Sequence, residues 1–175
     1  METILSAGPL DALASWLERT RPKGVRRLVA LSSTSAVTKQ ASSNPAERAL
    51  AERLRRAEDG LIAYCERAGI AWTVLRPTLI WGEGRDRNIS RLAAWVRRWR
   101  FLPLPSFATG RRQPIRAADV ASALIAAAVR SASAGQRLDL PGGEILTYAE
   151  MARRIAIVVR PPGRIIRLPG PPMLF

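Results

Sequence analysis

Hydrophobic and polar residues follow two different periods along the chain, and the two periods alternate. Nearly unbroken apolar runs are typical of buried parallel strands, and they occur at residues 3–7, 26–33 and 70–77, with a further strand and turn at 136–143. Apolar residues at every third or fourth position predict helices at residues 9–20, 44–69, 90–99, 117–131 and 147–159. This succession predicts an α/β fold with a mainly parallel sheet.

The helix over residues 44–69 carries clear signals at both of its ends. Asn44 is a good N-cap, Pro45 suits the first helical position, and Gly69 ends the pattern. Thr147 and Glu150 have capping-box spacing at the start of the last helix. The apolar residues of the long helix form one stripe, which we predict to lie in the core: Leu50, Leu54, Ala57, Leu61, Cys65 and Ala68.

The pattern changes towards shorter elements after residue 86. Residues 101–115 are rich in loop-forming residues, with a short extended piece near 113–115. The segment 160–175 is rich in proline and shows no closing helix or strand. We therefore expect a sheet-forming part at 1–86 and a smaller mixed α/β lobe at 87–175, with one or more elements that return to the sheet.

The chain of 175 residues is strongly basic, with a formal net charge of +14. Lys23 and Lys39 are its only lysines, so arginine supplies nearly all of the positive charge. Clustered cations are typical of nucleic-acid binding, whereas a general bias towards arginine would scatter them. The arginines occur in every segment and accompany no nucleic-acid-binding motif or basic tail, so we expect no nucleic-acid partner.

Two residue counts exclude whole classes of site. The sequence has no histidine, which rules out a Ser-His-Asp triad and removes a common metal ligand. Cys65 is the only cysteine, so we expect no disulfide, no thiolate cluster and no metal site. The apolar runs are far shorter than the roughly 20 residues of a membrane span, and the N-terminus lacks the pattern of a signal peptide. We expect a cytoplasmic chain without a membrane partner.

Three short motifs follow one another in a specific order. Residues 28–37 read LVALSSTSAV, residues 73–84 read TVLRPTLIWGEG, and residues 111–124 read RRQPIRAADVASAL. In this order and at these distances they resemble the extended and atypical short-chain dehydrogenase/reductases, in the NAD-dependent epimerase/dehydratase group. The resemblance runs from about residue 4 to about residue 160. It implies a Rossmann-like NAD(P)-binding sheet followed by a substrate-binding lobe.

The resemblance implies roles for residues at the ends of two strands. Thr34 falls where the family has its catalytic Ser/Thr, which hydrogen-bonds the reacting oxygen of the substrate. The alternative is that this run of hydroxyl residues only turns the chain after a strand. Cofactor contacts are implied for Ser32, Ser33, Arg76, Pro77 and Thr78.

Substrate contacts are implied further along the chain. Arg112 matches a family arginine that pairs with the diphosphate of a sugar nucleotide, a geometry that suits a guanidinium. Asn88 and Arg91 follow the Gly-rich loop at positions that would face a substrate phosphate. The alternatives are a surface arginine for the first position and a solvated helix start for the other two.

The first departure from the family concerns the cofactor. The family holds its dinucleotide with a Gly-x-x-Gly-x-x-Gly turn between the first strand and the first helix, and this sequence has no such motif. Residues 1–33 resemble the fourth and fifth strand units of the family sheet. We therefore expect an N-terminally incomplete member, with the carboxyl half of the Rossmann-like sheet. NAD or NADP is the cofactor of the complete family member, and binding by this chain alone is in doubt.

The second departure concerns the catalytic pair. The family has a glutamate 18 residues before the arginine of the Leu-Arg-Pro motif, and here it is Glu58. The family's catalytic Tyr and Lys lie eight and four residues before that glutamate, and these positions are Leu50 and Leu54. The two leucines share one helix face but cannot hold or transfer a proton.

Two functions are open at this point. The first is an NAD(P)-dependent epimerase/dehydratase-like oxidoreductase, for which a small-molecule substrate is expected and a nucleotide sugar is the candidate. The second is a catalytically inactive NAD(P)-binding or assembly protein of the same fold, which the loss of the Tyr/Lys pair favours. A homodimer is a further option.

Overall fold

The computed structural model describes residues 2–106 and 108–169, so the last six residues of the Pro-rich terminal segment lie outside the described residues. The chain divides into two compact units. The first, which we call the sheet unit, comprises the chain up to Thr78 together with Asp119–Leu140. The second unit comprises Leu79–Ala118 and the chain from Pro141 onward.

The helices of the described residues are α1 (Leu10–Thr20), α2 (Ser35–Thr38), α3 (Pro45–Ala68), α4 (Ile89–Trp99), α5 (Ala117–Val129) and α6 (Tyr148–Val158). The strands are β1 (Glu2–Ser6), β2 (Val25–Leu31), β3 (Ala71–Pro77), β4 (Leu79–Trp81), β5 (Phe101–Pro105), β6 (Arg111–Arg112), β7 (Pro114–Arg116), β8 (Gln136–Leu140), β9 (Leu146–Thr147) and β10 (Arg164–Leu168). All five predicted helices are present, with bounds that differ by at most two residues.

The sheet unit contains four parallel strands in the order β1-β2-β3-β8. Leu28 of β2 lies opposite Ile4 of β1 and Trp72 of β3. The predicted α/β fold with a parallel, partial Rossmann-like sheet is confirmed. Within the described residues, β1 forms one edge of this sheet and β8 forms the other.

Helices cover both faces of the sheet, which explains why its strands are apolar on both sides. Leu28 and Ala30 of β2 point to one face, where they pack with α1 and α3. Val29 and Leu75 point to the opposite face and pack with α5. The helix residues buried against the sheet are Leu10, Leu17, Leu61, Ile62, Tyr64 and Cys65 on the first face, and Leu124 and Ala127 on the second.

A buried arginine connects β2 to the neighbouring strand and to the end of α5. Arg27 Nη2 donates a hydrogen bond to Thr73 Oγ1 at 2.8 Å and another to the Ala127 carbonyl at 2.7 Å. Carbonyls at a helix C-terminus carry partial negative charge, so the end of α5 offsets part of the cost of burying the guanidinium. Burial lowers the pKa of Arg27. The apolar pattern of residues 26–33 gave no sign of this contact.

The ends of the two best-signalled helices are formed by the predicted residues. The Asn44 side chain accepts a hydrogen bond from the Ala46 amide at 2.9 Å, which caps α3. Gly69 ends that helix in the left-handed conformation with φ of 65°, which glycine adopts at little cost. Thr147 and Glu150 form the predicted capping box of α6.

The predicted core stripe of α3 is only partly correct. Leu61 and Cys65 are buried, but Leu50 and Leu54 are only half-buried and Ala68 is exposed. Before Leu61, the buried positions of the helix are Ala51 and Glu58. Glu58 shares the face of the predicted stripe, but a search for apolar periodicity does not indicate that a glutamate is buried there.

We expect the Cys65 thiol to be unreactive in the folded chain. Its burial, together with the nearby Glu66 carboxylate, raises the pKa of Cys65 to about 11. Since the thiolate is the nucleophile, iodoacetamide should label the folded chain slowly at about pH 8, below the ordinary thiol pKa, and the unfolded chain quickly. Between about pH 9 and 11 the Cys65 thiol ionises in the unfolded chain but stays protonated in the folded chain. The free energy of unfolding should therefore fall as the pH rises through this range. Mass spectrometry with and without urea measures the labelling, and fast labelling without urea would contradict the expectation.

The second unit is built from α4 and α6 with three small two-stranded sheets. β5 pairs with β10 in parallel, β4 pairs with β7 in parallel, and β6 pairs with β9 in antiparallel orientation. The helices α4 and α6 pack against the β5–β10 pair. The buried core residues are Val96, Leu102, Leu104, Ala152, Ala156 and Val159.

Two expectations for this unit are wrong. Residues 101–105 were expected to form a loop but form β5, with Leu102 and Leu104 in the core. The prolines of β5 are tolerated because only one edge of this strand is paired, so the missing N–H groups cost little. The segment 160–175 was expected to lack a closing element, but its β10 pairs with β5 along its whole length.

Candidate functional site

The carboxyl ends of β2 and β3 lie side by side in the sheet unit, and most of the predicted site residues follow them. Beyond the last paired residues, the Ser32 amide donates to the Leu75 carbonyl at 2.7 Å. The Thr34 amide donates to the Pro77 carbonyl at 3.1 Å. These bonds hold the serine/threonine segment against the Arg-Pro strand end, at the edge where parallel α/β sheets bind their ligands.

A buried carboxylate lies behind this edge. Glu58 of α3 is fully buried, and its carboxylate accepts hydrogen bonds from Ser32 Oγ and from Arg76 Nε, the latter at 3.0 Å. Arg76 Nη2 forms a second, close ion pair with the same carboxylate. Arg137 Nε of β8 lies 3.4 Å from Glu58 Oε2. One carboxylate therefore joins α3 to three consecutive strands of the sheet.

The guanidinium of Arg76 is committed to this buried pair. Its hydrogen bonds with Glu58 raise the pKa of Arg76 above the ordinary value, and this outweighs the effect of burial. Since Ser32 donates to the same carboxylate, two of the predicted cofactor contacts face the protein interior. From the sequence alone, Glu58 was identified only by its distance from Arg76, and its burial was not predicted. The available signal was a lone glutamate on the inner face of a helix, 18 residues before an arginine at a strand end.

The hydroxyl groups of Ser33 and Thr34 form local contacts. Thr34 Oγ1 donates to the Pro77 carbonyl at a long distance of 3.4 Å, and Ser33 Oγ accepts from the Ser35 amide at 3.2 Å. The segment continues into α2, a single helical turn. This geometry is that of a chain turn, and the catalytic role of Thr34 stays a prediction.

The sequence resemblance implies that Leu50 and Leu54 take the positions of the family's Tyr/Lys pair. They lie on the face of α3 that also carries Glu58, one turn apart, and both are half-buried. Neither side chain has a group that can donate or accept a proton. The helix therefore retains the spacing of the family's site without its acid/base chemistry.

The start of α1 does not fit the pyrophosphate of a dinucleotide. Gly8 is the only glycine between β1 and α1, and the helix is preceded by Pro9, which has no N–H to offer a phosphate. The carboxylate of Asp11 occupies the first turn and accepts the Ala12 amide at 2.9 Å. A phosphate would meet a like charge there. A dinucleotide pyrophosphate is therefore disfavoured at this helix start.

In the second unit, the start of α4 carries Asn88 and Arg91. The amides of Asn88 and Ser90 donate to Asp86 Oδ1 at 3.1 and 2.9 Å. Burial alone would raise the pKa of Asp86, but hydrogen bonds from Ser90, Asn88 and Gly82 outweigh it and lower the pKa. The helix start is thus occupied by a carboxylate, which disfavours a phosphate at this point. Substrate contact by Asn88 and Arg91 stays a prediction.

The guanidinium of Arg112 is exposed and forms no ion pair among the described residues. It is exposed on β6, 5.7 Å from the ring centroid of Tyr148, and donates to the Arg111 carbonyl at 2.8 Å. The aromatic face orients the side chain without neutralising its charge. Gln113, beside it, donates to the Gly142 carbonyl at 2.7 Å. Arg112 therefore retains the capacity to bind an anion.

Neither a metal centre nor a membrane-spanning helix is found in residues 2–106 and 108–169. No group of three His, Cys, Asp or Glu side chains in these ranges is arranged to hold a metal ion. No helix there has both the length and the apolar content needed to cross a bilayer.

The comparisons with known sequences give one curated relative. No protein-family model matches the chain. The relative is the mitochondrial NADH dehydrogenase (ubiquinone) 1 alpha subcomplex subunit 9 of Arabidopsis thaliana, which is 32% identical over 100 residues. The match covers 57% of this chain and 25% of the relative.

Solved structures match over most of this chain. UDP-glucuronic acid 4-epimerase from Bacillus cereus, in complex with UDP-glucuronic acid and NAD, has a TM-score of 0.73 at 13% identity and covers 91% of this chain. The dTDP-glucose 4,6-dehydratase of Bacillus anthracis, in complex with NAD, has a TM-score of 0.72 at 14% identity and covers 98%. An epimerase of Methanothermobacter thermautotrophicus has a TM-score of 0.70 at 20% identity and covers 87%.

The chain matches only part of the length of each of these solved proteins. The chain spans 54%, 61% and 50% of these three solved chains, respectively. Within that span, the parallel sheet, its covering helices and the second unit follow the architecture of the solved epimerases and dehydratases. The chain therefore has the fold of the NAD-dependent epimerase/dehydratase family, the extended short-chain dehydrogenase/reductases, as its three motifs indicated.

Proposed function

We propose that this chain belongs to a catalytically inactive binding or assembly protein built on the epimerase/dehydratase fold. The observation that carries the proposal is the pair Leu50 and Leu54, half-buried and one turn apart where the family has Tyr and Lys. Hydride transfer in this family needs an acid/base whose pKa is lowered by a neighbouring cation. Two aliphatic side chains cannot replace it.

The surrounding contacts support the same proposal. Ser32 and Arg76 are bound to the buried Glu58, so they stabilise the sheet edge and are not free to hold a ligand. The Gly-x-x-Gly-x-x-Gly motif that holds the pyrophosphate in this family is missing from the sequence, and the α1 start disfavours a phosphate. NAD or NADP binding would therefore need a phosphate-binding turn from outside this chain.

The curated relative supports an assembly role in particular. Its name describes a mitochondrial subunit of NADH dehydrogenase. We infer that this chain likewise serves as a non-catalytic component of a larger complex. The cytoplasmic location and the homodimer stay predictions from the sequence.

A second candidate is an NAD(P)-dependent epimerase/dehydratase that acts on a nucleotide sugar. The exposed guanidinium of Arg112, held on the Tyr148 ring, favours it, because a diphosphate is the ligand such a group binds well. Thr34 would then hydrogen-bond the reacting oxygen of the sugar. This alternative requires a proton donor other than the residues at 50 and 54.

We expect this chain to show no saturable binding of NADH or NADPH, and no turnover of UDP-glucose, UDP-glucuronic acid or dTDP-glucose. Tryptophan fluorescence, with energy transfer to the reduced nicotinamide, measures the binding, and product analysis measures the turnover. We expect the double variant Leu50→Tyr/Leu54→Lys to restore neither. Turnover by the unaltered chain would refute the proposal and favour the enzyme. Saturable dinucleotide binding without turnover would still support an inactive binding protein. It would contradict our expectation that this chain does not bind a dinucleotide by itself.

A further inference from the structure

The outer face of α4 carries two tryptophans and two arginines. Arg91, Trp95, Arg98 and Trp99 follow one another at helical spacing and are all exposed, with 44% of Trp95 and 53% of Trp99 accessible. We call these four residues the tryptophan–arginine face. The opposite face of α4 is turned into the core of the second unit through Leu92, Ala93 and Val96. The packing of α4 thus leaves both of its tryptophan side chains exposed.

On this face both the aromatic rings and the positive charges are accessible to a partner. The Trp95 and Trp99 rings lie 6.1 Å apart at an angle of 43°, so they form a single tilted aromatic surface. The Arg98 guanidinium lies 5.4 Å from the centroid of the Trp99 ring. No ion pair involves Arg91 or Arg98 within the part of the chain that the structure describes. Both positive charges are open to an external anion.

The whole second unit is basic, which determines the charge of a partner. Residues 79–118 and 141–175 contain fourteen arginines against four acidic residues, a net +10 out of the +14 of the chain. Asp86, Glu144 and Glu150, three of these acids, are already engaged by a helix start, by Arg154 and by a capping box. The sequence pattern described the arginines as scattered, but the fold concentrates their net charge in one unit. An extended polyanion is the complementary partner.

Two kinds of polyanion, a nucleic acid and an anionic lipid surface, would complement this charge, and exposed aliphatic side chains favour the lipid surface. The second unit also exposes several large aliphatic side chains, which add affinity for lipid and have no use on a nucleic-acid backbone. Tryptophan and arginine together are typical of the lipid headgroup region, where the ring is partly buried and the cation reaches phosphate. The exposed aliphatic residues are Ile145, Ile157, Val158, Ile166 and Leu168.

We propose that the tryptophan–arginine face of α4 docks the chain onto the surface of an anionic phospholipid bilayer. The two indoles enter the headgroup region and the arginines pair with lipid phosphates. The expectation of no membrane partner rested on the length of apolar runs, which tests spanning and not adsorption to a surface. This interaction is independent of the presence or absence of catalysis.

The test is flotation of the chain with lipid vesicles in a density gradient. Flotation distinguishes bound protein, which rises with the vesicles, from aggregated protein, which sinks. The chain is expected to rise with vesicles of phosphatidylcholine mixed with phosphatidylglycerol, to stay behind with phosphatidylcholine alone, and to release at high salt. Arg91→Ala/Arg98→Ala should weaken partitioning on the order of 30-fold, as for two basic groups near an anionic surface. Binding of the unaltered chain to anionic vesicles should shift its tryptophan fluorescence to the blue. Trp95→Ser/Trp99→Ser should weaken partitioning at least about tenfold and remove this shift.

The matched control removes two charges from the sheet unit. Lys23→Ala/Arg53→Ala changes exposed residues that belong to no ion pair among the described residues, and this variant should bind vesicles almost as well as the unaltered chain. Three results would overturn the proposal: no flotation with anionic vesicles, equal flotation with neutral vesicles, or equal losses in the control and in the α4 variants. Tight binding of a single-stranded oligonucleotide that depends on the α4 residues, without flotation, would identify a nucleic-acid partner and also overturn it.

Discussion

Replacement of Glu58 by glutamine is expected to lower the free energy of unfolding by about 3–5 kcal/mol, the usual cost of breaking a buried ion pair. The Glu58 side chain is 1% exposed and that of Arg76 is 14% exposed, so the guanidinium would lose its counter-charge away from water. Glutamine retains the size of the side chain and can still accept one hydrogen bond. The loss is therefore one of charge, with little change in packing.

The neighbouring residue Glu52 provides a control on the same helix. It pairs with Arg56 four residues away, but both side chains are exposed, and surface pairs of this kind contribute only about 0.3–0.5 kcal/mol. Glu52→Gln should therefore leave the urea midpoint nearly unchanged. Urea unfolding followed by far-ultraviolet circular dichroism compares the two variants. Equal, small losses for both would show that the buried carboxylate does not hold the strand ends together.

Replacement of Gly142 by alanine is expected to destabilise the second unit by about 2–3 kcal/mol, as in overpacked sites. A β-carbon at this position would lie 1.9 Å from the Pro114 carbonyl oxygen and 2.5 Å from the carbonyl carbon. Both atoms belong to backbone, so no side-chain rotation can relieve the overlap. The segment that carries Arg112 and Gln113 would have to move, together with the hydrogen bond from Gln113 to the Gly142 carbonyl.

Gly143 supplies the matched control, because a β-carbon there would have no heavy atom within 4 Å. Gly143→Ala should be tolerated with a change of at most a few tenths of a kcal/mol. Urea unfolding followed by tryptophan fluorescence compares the two variants, and three of the five tryptophans of the chain lie in the second unit. A Gly142→Ala variant as stable as Gly143→Ala would mean that the approach of Gly142 to Pro114 is not a feature of the folded chain.

Local signals predicted the elements well wherever one residue controls an end. Asn44, Gly69 and the Thr147–Glu150 capping box act within one helical turn, so the sequence contains all the information needed to place them. The apolar runs of β2 and β3 likewise predicted strands buried on both faces. By contrast, β5 and β10 stabilise each other across a long stretch of chain, and neither shows a strand pattern by itself.

The site was harder to predict than the fold because its key contacts are distant in sequence. The serine/threonine run after β2 identified the correct sheet edge, but its hydroxyl groups turn out to bind the protein itself. Glu58 was recognised only by its distance from Arg76, and its link to Arg137 could not be anticipated from a local pattern. The role of the exposed face of α4 was not predicted for a different reason. Amphipathic periodicity indicates which side of a helix is buried, but it does not indicate what the exposed side binds.

The sheet unit is completed late in the chain, and this has a consequence for biosynthesis. β8 adds to the edge of β3 only after Leu79–Ala118, which belong to the second unit, and α5 have left the ribosome. Until then β3 has a free edge of unpaired backbone groups, which favours mispairing between nascent chains. The distant pairing also raises contact order, which slows the closing step. A cell that makes this chain in quantity would benefit from a chaperone acting at the stage when residues 78–136 are being translated.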